Sequence, residues 1–366
     1  MRDYSAKVVR EVKFGQADPT IWLVAVGALW TANRYGPRSF PARKSRPSLS
    51  ALTPSDILVS MAADKWAVLL LAHGAPDRLE DVAEFLLNVR GGRTLPEHAV
   101  KEIVHRYRLI GGGSPLARIT IRQAKALADR LGCRVYVGMR NWKPFIADAV
   151  RQLDEDGVER LVVICLAPQN SRTSIGLYRK HLTQAIEEQA CHLRVDFVES
   201  WHDTSELIAA FSEKVTAALD HIEEATGEPI PIVFTAHSVP QRTIDEGDSY
   251  QAQVMETASF VAKRSGLDDW RVAFQSQGMT AEPWIGPAVE SEIDRLAAAG
   301  HRHALLVPIS FVSDNVEILY DVDIAFRQYG QGKGVTVWRS ESLNDSPLFI
   351  AALVAVASAR MQPARL

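Results

Sequence analysis

Short, almost unbroken apolar runs recur along the chain, and the longer stretches between them carry apolar residues at every third or fourth position. The runs are typical of strands that are buried on both faces of a parallel sheet. The stretches between them are typical of helices with one apolar face. The pattern predicts strands at residues 67–72, 135–139, 161–166, 194–198, 232–236, 271–275, 304–307 and 335–339.

Helices are predicted between these strands, so that strand and helix alternate through both halves of the chain. The predicted helices lie near residues 79–89, 97–108, 117–130, 141–155, 205–225, 250–265, 287–299 and 347–361, with one more around Tyr178. Four strands with alternating helices in each half predict an α/β protein of two doubly wound domains, each built on a four-stranded parallel sheet. We expect these domains at 61–225 and 226–345, a ligand cleft between them, and a C-terminal helix within 346–366 that packs back on the body.

The first 60 residues differ in composition from the rest of the chain. They hold nine Lys/Arg and four Asp/Glu, and residues 37–54 are rich in Ser, Arg and Pro, a composition typical of disorder. An apolar run at residues 21–30 follows the basic start and imitates a secretion signal. We favour a disordered extension or an over-extended gene start, with the body beginning near Met61, over a targeting signal.

Composition and charge narrow the possible function classes. Of 366 residues, 47% are hydrophobic and 23% are charged, a balance typical of soluble globular proteins, and the net charge of −3 does not favour nucleic acid as a partner. Cys133, Cys165 and Cys191 form no CxxC pair, which argues for a reducing compartment and against an iron–sulfur cluster. The apolar run at 21–30 is too short to span a bilayer, so we expect a cytoplasmic protein with no integral membrane segment.

An acidic stretch follows the predicted strand at 304–307. Ser313 is its predicted helix N-cap, and an α-helix is expected from there because apolar residues then recur at helical spacing. Glu317 and Asp321 stand four positions apart, which places both carboxylates on one face of the helix near its start. Carboxylates in that position are ordinary capping devices, so the stretch alone says little about function.

A histidine follows another predicted strand. His237 comes directly after the apolar run 232–236, at the carboxyl end, where open parallel sheets bind ligands. A lone histidine there is often a structural hydrogen-bonding residue, but Glu317 also lies just beyond a strand end. The two side chains could therefore meet in one crevice. An imidazole and a carboxylate can then act as a proton acceptor with its partner, or as two ligands for a divalent cation.

These two stretches together resemble the ferrochelatases, enzymes that insert Fe²⁺ into a porphyrin. The family's histidine loop resembles TAHSVP at residues 235–240, and its acidic helix resembles FVSDNVEILYD at residues 311–321. The resemblance covers roughly residues 66–358 and implies two Rossmann-like chelatase domains whose parallel sheets face a central cleft. It also implies that His237 and Glu317 are the catalytic and metal-handling pair. Metal insertion must remove two pyrrole protons and strip ligands from the metal, and these residue types can do both.

The resemblance assigns further residues one position at a time. His73 lies in AHGAP, where the soluble bacterial branch usually has tyrosine, so it is expected either to ligate iron on the opposite porphyrin face or to bond to backbone. Ala325 stands where relatives often extend the acidic line, so that line stops at Asp321. The residues expected to contact the porphyrin or its propionates are His73, Arg90, Arg106, Tyr107, Ser114 and Tyr178, with Arg93 beside them.

Residues 275–284, QSQGMTAEPW, resemble a loop of the branch that metallates coproporphyrin III, and Trp284 is expected to pack this loop rather than touch substrate. The prediction is a ferrochelatase that converts coproporphyrin III to coproheme. Protoporphyrin IX, with two propionates instead of four, is the alternative substrate. A cobalt or nickel chelatase and a non-catalytic tetrapyrrole carrier are further alternatives. No cofactor is expected, because Fe²⁺ is a substrate, and the expected partners are porphyrin, Fe²⁺ and neighbouring heme-pathway enzymes.

Overall fold

The structure is a computed structural model that describes residues 66–278 and 282–361. The expectations for residues 1–60, which are a disordered extension, an over-extended gene start or a targeting signal, lie outside these residues. Within the described ranges, no helix is long and apolar enough to cross a bilayer.

Two four-stranded sheets, all of whose strand pairs are parallel, account for the strands of the described residues. The first sheet has the order β2-β1-β3-β4, and the second has the order β6-β5-β7-β8. The strands are β1 Trp66–Ala72, β2 Arg134–Met139, β3 Arg160–Cys165, β4 Arg194–Val198, β5 Ile232–His237, β6 Trp270–Gln275, β7 His303–Pro308 and β8 Thr336–Arg339. The predicted α/β class with two four-stranded parallel sheets is confirmed.

β1 and β5 occupy the same interior place in their respective sheets, because the two strand orders follow one scheme. Interior strands of a parallel sheet are covered on both faces, which explains why these strands have no polar alternation. The stretch 67–71 of β1 is fully buried, and 232–236 of β5 is buried as well. The carboxyl ends of these two strands are therefore equivalent positions in the two halves.

Helices connect the strands, as the periodicity predicts. They are α1 Val82–Val89, α2 Glu97–Leu109, α3 Leu116–Leu131, α4 Ile146–Glu155, α5 Ile175–Glu188, α6 Ser205–Thr226, α7 Gln241–Asp245, α8 Tyr250–Arg264, α9 Val289–Ala298, α10 Arg327–Gly332 and α11 Pro347–Arg360, with a 3₁₀ turn at Leu79–Asp81 and a π-helix at Glu317–Phe326. Gly132 and Gly227 end α3 and α6 in the left-handed conformation that glycine adopts without strain. The short helices α7 and α10 are not predicted from the sequence.

The largest hydrophobic core joins the two halves. It contains Leu207 and Phe211 from α6, Phe234 and Leu305 from the second sheet, and Phe349 from α11. α11 packs against α3 and α6 of the first half. Burial of this continuous apolar surface holds the two sheets together. The expected boundaries at 61, 226 and 346 stay predictions.

The acidic stretch forms a π-helix from Glu317–Phe326 and not the predicted α-helix from Ser313. The predicted cap is also wrong by two residues. Oδ1 of Asn315 accepts hydrogen bonds from the backbone N–H groups of Glu317 at 2.9 Å and Ile318 at 3.1 Å, which satisfies the first donors of the helix. The hydroxyl of Ser313 instead accepts a hydrogen bond from Gln123 at 2.8 Å. π-Helical turns are rare and are often found at functional sites.

Candidate active site

The carboxyl ends of three strands bring the central residues together. His73 follows β1, His237 ends β5, and Glu317 opens the π-helix after β7. The charges of Glu317 and His237 both influence the pKa of His73, so the three side chains lie close enough to interact. The strand-end rule of parallel sheets accounts for the position of each histidine at the carboxyl edge of its own sheet.

The imidazole of His237 is fixed from several sides. Its Nδ1 lies 2.5 Å from the carbonyl oxygen of Ser238, and since a carbonyl only accepts, Nδ1 carries the proton of that bond. Its backbone N–H donates to Ser310 at 3.0 Å, and the hydroxyl of Tyr250 donates to its carbonyl at 2.9 Å. Nε2 remains for chemistry and lies 3.6 Å from Oε1 of Glu317. The two side chains are 37% and 35% exposed, so both are open to solvent.

The electrostatics of this pair favour an ion pair. Burial lowers the pKa of His237, but the Glu317 carboxylate outweighs burial and holds that pKa above its ordinary value of 6.5. Burial raises the pKa of Glu317, but the positive charge of His237 outweighs it and holds that pKa below its ordinary value of 4.5. Each partner therefore stabilises the charged form of the other.

His73 has the opposite electrostatic character. Desolvation of the ring by the surrounding protein, aided by the positive charge of Arg140, lowers its pKa to about 4, so the ring is neutral at pH 7 although the residue keeps solvent-exposed surface. Nδ1 lies 3.0 Å from the carbonyl oxygen of Gly74, and Nε2 lies 3.0 Å from Nδ2 of Asn141. Phe85 packs edge-on against the ring, with centroids 6.0 Å apart. Of the two expectations for His73, the backbone hydrogen bond is present, and ligation of iron stays a prediction.

Asp321 adds a third acidic group beside the pair. Burial raises its pKa to about 6, a rise that a hydrogen bond from the Ser276 hydroxyl opposes and the charge of Glu317 increases. Ser276 makes that bond at 2.6 Å from a left-handed backbone conformation with φ of 59°. Within the described residues, no cluster of three or more His, Cys, Asp or Glu side chains is arranged to hold a resident metal ion.

The ferrochelatase family model matches residues 65–361. The chain belongs to the ferrochelatase family. It is 47% identical over 309 residues to a ferrochelatase of Acidobacterium capsulatum, which covers 80% of this chain and 94% of the relative. It is 36% identical over 310 residues to a coproporphyrin III ferrochelatase of a Geobacillus species, which covers 82% of this chain and 100% of the relative.

Among solved structures, SirB from Bacillus subtilis with Fe³⁺ matches with a TM-score of 0.49 at 12% identity, over 80% of this chain and 94% of that chain. That likeness is too remote to bear on the site. Membership of the ferrochelatase family makes the chain an enzyme of heme biosynthesis that inserts metal into a porphyrin.

Of the three arginines that the ferrochelatase resemblance assigns to propionates, Arg90 and Arg106 differ in their present partners. Arg90 is exposed at the end of α1, and no partner of its guanidinium is found among the described residues. Arg106 lies in α2 and approaches Glu102 at 3.2 Å and Asp321 at 3.8 Å, while its guanidinium stacks over Tyr320 with 4.9 Å to the ring centre. Arg106 thus bridges from the first half to the π-helix of the second half and is already paired with carboxylates.

The remaining three predicted contact residues are buried in this conformation. Tyr107 is 1% exposed inside an apolar cluster, and its hydroxyl has no partner among the described residues. Ser114 is fully buried, and its hydroxyl accepts a hydrogen bond from the backbone N–H of Leu116 at 3.3 Å. Tyr178 is 5% exposed beneath the guanidinium of Arg140, which lies 5.4 Å from its ring centre. Contact between these three and substrate stays a prediction.

Sequence reasoning misses several residues that contact the predicted site residues. Arg140 and Asn141 directly follow β2, and Ser276 directly follows β6, so the rule that finds His237 could have found them too. Tyr250 opens α8 and gives no such signal. The expectation for Trp284 agrees with the packing, because a Cβ atom on Gly278 would lie 2.6 Å from the indole ring.

Proposed function

We propose that this ferrochelatase inserts Fe²⁺ into coproporphyrin III and forms coproheme, with His237 and Glu317 carrying the chemistry. One observation supports this most directly. Nε2 of His237, at the end of β5, lies 3.6 Å from Oε1 of Glu317, at the start of the π-helix, and both side chains are partly exposed to solvent. No resident cofactor is needed in this proposal, because iron enters as a substrate.

The proton chemistry follows from which nitrogen is free. Two pyrrole N–H protons must leave the porphyrin as the metal enters it. The Nδ1 atom of His237 is engaged by the Ser238 carbonyl, so the neutral ring accepts a proton at Nε2. Glu317 stabilises the imidazolium that forms, as the raised pKa of His237 indicates. Because about a third of each side chain is exposed, the proton can pass on to water before the second one is removed.

The choice of coproporphyrin III rests on the arginines. Coproporphyrin carries four propionates and protoporphyrin IX carries two, so additional guanidinium contacts favour the former. Arg90 is exposed and available, and a propionate could replace the Asp321 or Glu102 carboxylate beside Arg106. One charge-assisted hydrogen bond contributes about 1.5–3 kcal/mol, and roughly 1.4 kcal/mol corresponds to a factor of ten in affinity. A relative that is 36% identical carries the name coproporphyrin III ferrochelatase, which agrees with this choice.

Protoporphyrin IX is the second candidate substrate, and one observation favours it. Leu87 and Val89 of α1 are 38% and 40% exposed, and Leu109 at the end of α2 is 48% exposed. Apolar side chains in these two helices would suit a porphyrin with vinyl groups or a lipid-facing entrance. The relative that is 47% identical carries the general name ferrochelatase, which leaves both substrates open.

The experiment compares specificity constants under anaerobic conditions. Purified protein is mixed with Fe²⁺ and either coproporphyrin III or protoporphyrin IX, and the initial rate of metal insertion is followed by absorbance. We expect kcat/KM for coproporphyrin III to be higher by about tenfold or more. Equal or faster insertion into protoporphyrin IX would overturn the substrate assignment. Parallel reactions with Co²⁺ and Ni²⁺ test the metal, and preference for either over Fe²⁺ would overturn the iron assignment.

A further inference from the structure

The two active-site histidines share one arrangement and differ in one partner. His73 and His237 stand at the carboxyl ends of the equivalent strands β1 and β5. In each of them Nδ1 faces the carbonyl oxygen of the next residue, Gly74 at 3.0 Å and Ser238 at 2.5 Å. Each ring therefore points Nε2 away from its own backbone. The group that meets Nε2 decides what each imidazole can do.

The partner of Nε2 is an acceptor for one ring and a donor for the other. Nε2 of His237 meets the carboxylate of Glu317, which only accepts and so favours a proton on that nitrogen. Nε2 of His73 meets Nδ2 of Asn141, an amide nitrogen that only donates. The one proton of the neutral His73 ring is on Nδ1, because the Gly74 carbonyl only accepts. Nε2 of His73 therefore presents a lone pair and no proton.

Asn141 is held rigidly against His73. It is 4% exposed, its backbone N–H donates to the carbonyl of His73 at 3.0 Å, and its own carbonyl accepts from Asn88 at 3.3 Å. The two segments are also close-packed, since a Cβ atom on Gly74 would lie 2.8 Å from the backbone nitrogen of Trp142. The amide group thus has a fixed distance and direction to the ring.

We propose that Asn141 is a positioning residue whose amide donor favours an unprotonated Nε2 on His73, so that this nitrogen is a metal ligand and not a proton acceptor, and that the same donor competes with iron for the lone pair. The proposal rests on the function proposed above. When iron is present in the porphyrin, the Nε2 lone pair of His73 forms a coordination bond to it, and the hydrogen bond from Asn141 breaks. No proton is gained or lost by either side chain. Breaking the hydrogen bond from Asn141 costs free energy. The metallated product is therefore bound less tightly than it would be without Asn141, which favours its release.

Two substitutions at position 141 are expected to act in opposite directions. Asn141→Leu removes the competing donor, so it should tighten binding of iron coproporphyrin III by roughly threefold to tenfold. Asn141→Asp places an acceptor beside Nε2, which favours a proton there, so the spectrum of iron bound to imidazole should be lost as it is in His73→Ala. Asn88→Ala is the matched control, because it removes a bond to the Asn141 backbone and leaves Nε2 untouched.

The measurement is the binding of iron coproporphyrin III and of metal-free coproporphyrin III, followed by Soret absorbance and magnetic circular dichroism. Asn141→Leu, Asn141→Asp and Asn88→Ala should bind the metal-free porphyrin as wild type does. Such binding also establishes that they fold. Asn141→Leu should lose its effect in a His73→Ala background. In the unsubstituted protein, ¹⁵N NMR at pH 7 should find the His73 proton on Nδ1.

Three results would overturn the inference. An unchanged iron spectrum in His73→Ala would remove His73 as a ligand. If Asn141→Leu and Asn141→Asp changed the affinity for iron coproporphyrin III in the same direction, Asn141 would have a purely structural role. A proton on Nε2 of His73 in the wild-type NMR spectrum would contradict the assignment without any variant. These readouts use product binding, so they stay separate from failure of metal insertion itself, which would instead overturn the proposed function.

Discussion

Nε2 of His237 lies 3.6 Å from Oε1 of Glu317, which joins the end of β5 to the start of the π-helix. The carboxylate holds the pKa of His237 above 6.5 against the opposing effect of burial. This contact therefore raises the pH above which the imidazole can accept a proton.

The pH profile should reveal this coupling. His237 accepts a proton only when it is neutral, that is, above its raised pKa. We therefore expect kcat/KM for metal insertion to fall as the pH is lowered through a value above 6.5. Glu317→Gln removes the charge that raises this pKa and leaves burial to lower it, so the acid limb should move to lower pH while the maximal rate also falls. ¹⁵N NMR titration of metal-free protein checks the pKa directly, and an unchanged His237 pKa in Glu317→Gln would contradict the coupling.

Arg90 should contribute to the affinity for propionates and not to the chemical step. Arg90→Ala is expected to raise KM for coproporphyrin III by about tenfold, the value of roughly 1.4 kcal/mol, and to leave kcat nearly unchanged. The rise in KM for protoporphyrin IX should be smaller, because this porphyrin has two propionates instead of four and so fewer groups that can pair with Arg90. Lys125→Ala, which removes an exposed charge on α3, is the control. An equal rise in KM for both porphyrins would mean that Arg90 does not discriminate between them by their number of propionates.

Gly113 should be intolerant of any side chain. A Cβ atom at this position would overlap the carbonyl oxygen of Asp77, and the adjacent Ser114 N–H donates to Pro76 at 2.9 Å, beside the His73 segment. Gly113→Ala is expected to lower the free energy of unfolding by about 1–3 kcal/mol, as overpacking does. Gly332→Ala, where nothing lies near the added Cβ, should be neutral or stabilising. Urea unfolding of both variants measures the difference, and equal stability of the two would refute this prediction.

The strands and the central pair are predictable from local sequence. Apolar runs mark strands that are buried on both faces, and parallel strands present ligands at their carboxyl ends, so His237 and Glu317 can be found without a structure. The π-helix is not predictable in this way, because its first turn depends on Asn315 taking the place of the expected cap Ser313. Apolar periodicity is insensitive to such local hydrogen bonds and does not separate an α-helix from a π-helix.

The partner of His73 is hidden from the sequence for a different reason. Asn141 stands 68 residues further along the chain and reaches the ring only because β1 and β2 pair in register, with Ala72 opposite Met139. Strand order and register are tertiary properties, so a sequence can indicate that a residue follows a strand without revealing which neighbouring strand end it meets. The burial of Tyr107 has the same origin, since it depends on how α1 and α2 pack together.

The account depends most on His237, and one variant tests it most directly. The initial rate of Fe²⁺ insertion into coproporphyrin III is measured anaerobically for wild type, for His237→Ala, and for His192→Ala, which removes an exposed histidine elsewhere. Wild type and His192→Ala should insert iron at similar rates, and His237→Ala should be slower by at least about 100-fold, the usual effect of losing a general base. Porphyrin fluorescence should find unchanged binding of coproporphyrin III in all three. Near wild-type turnover in His237→Ala would contradict the account.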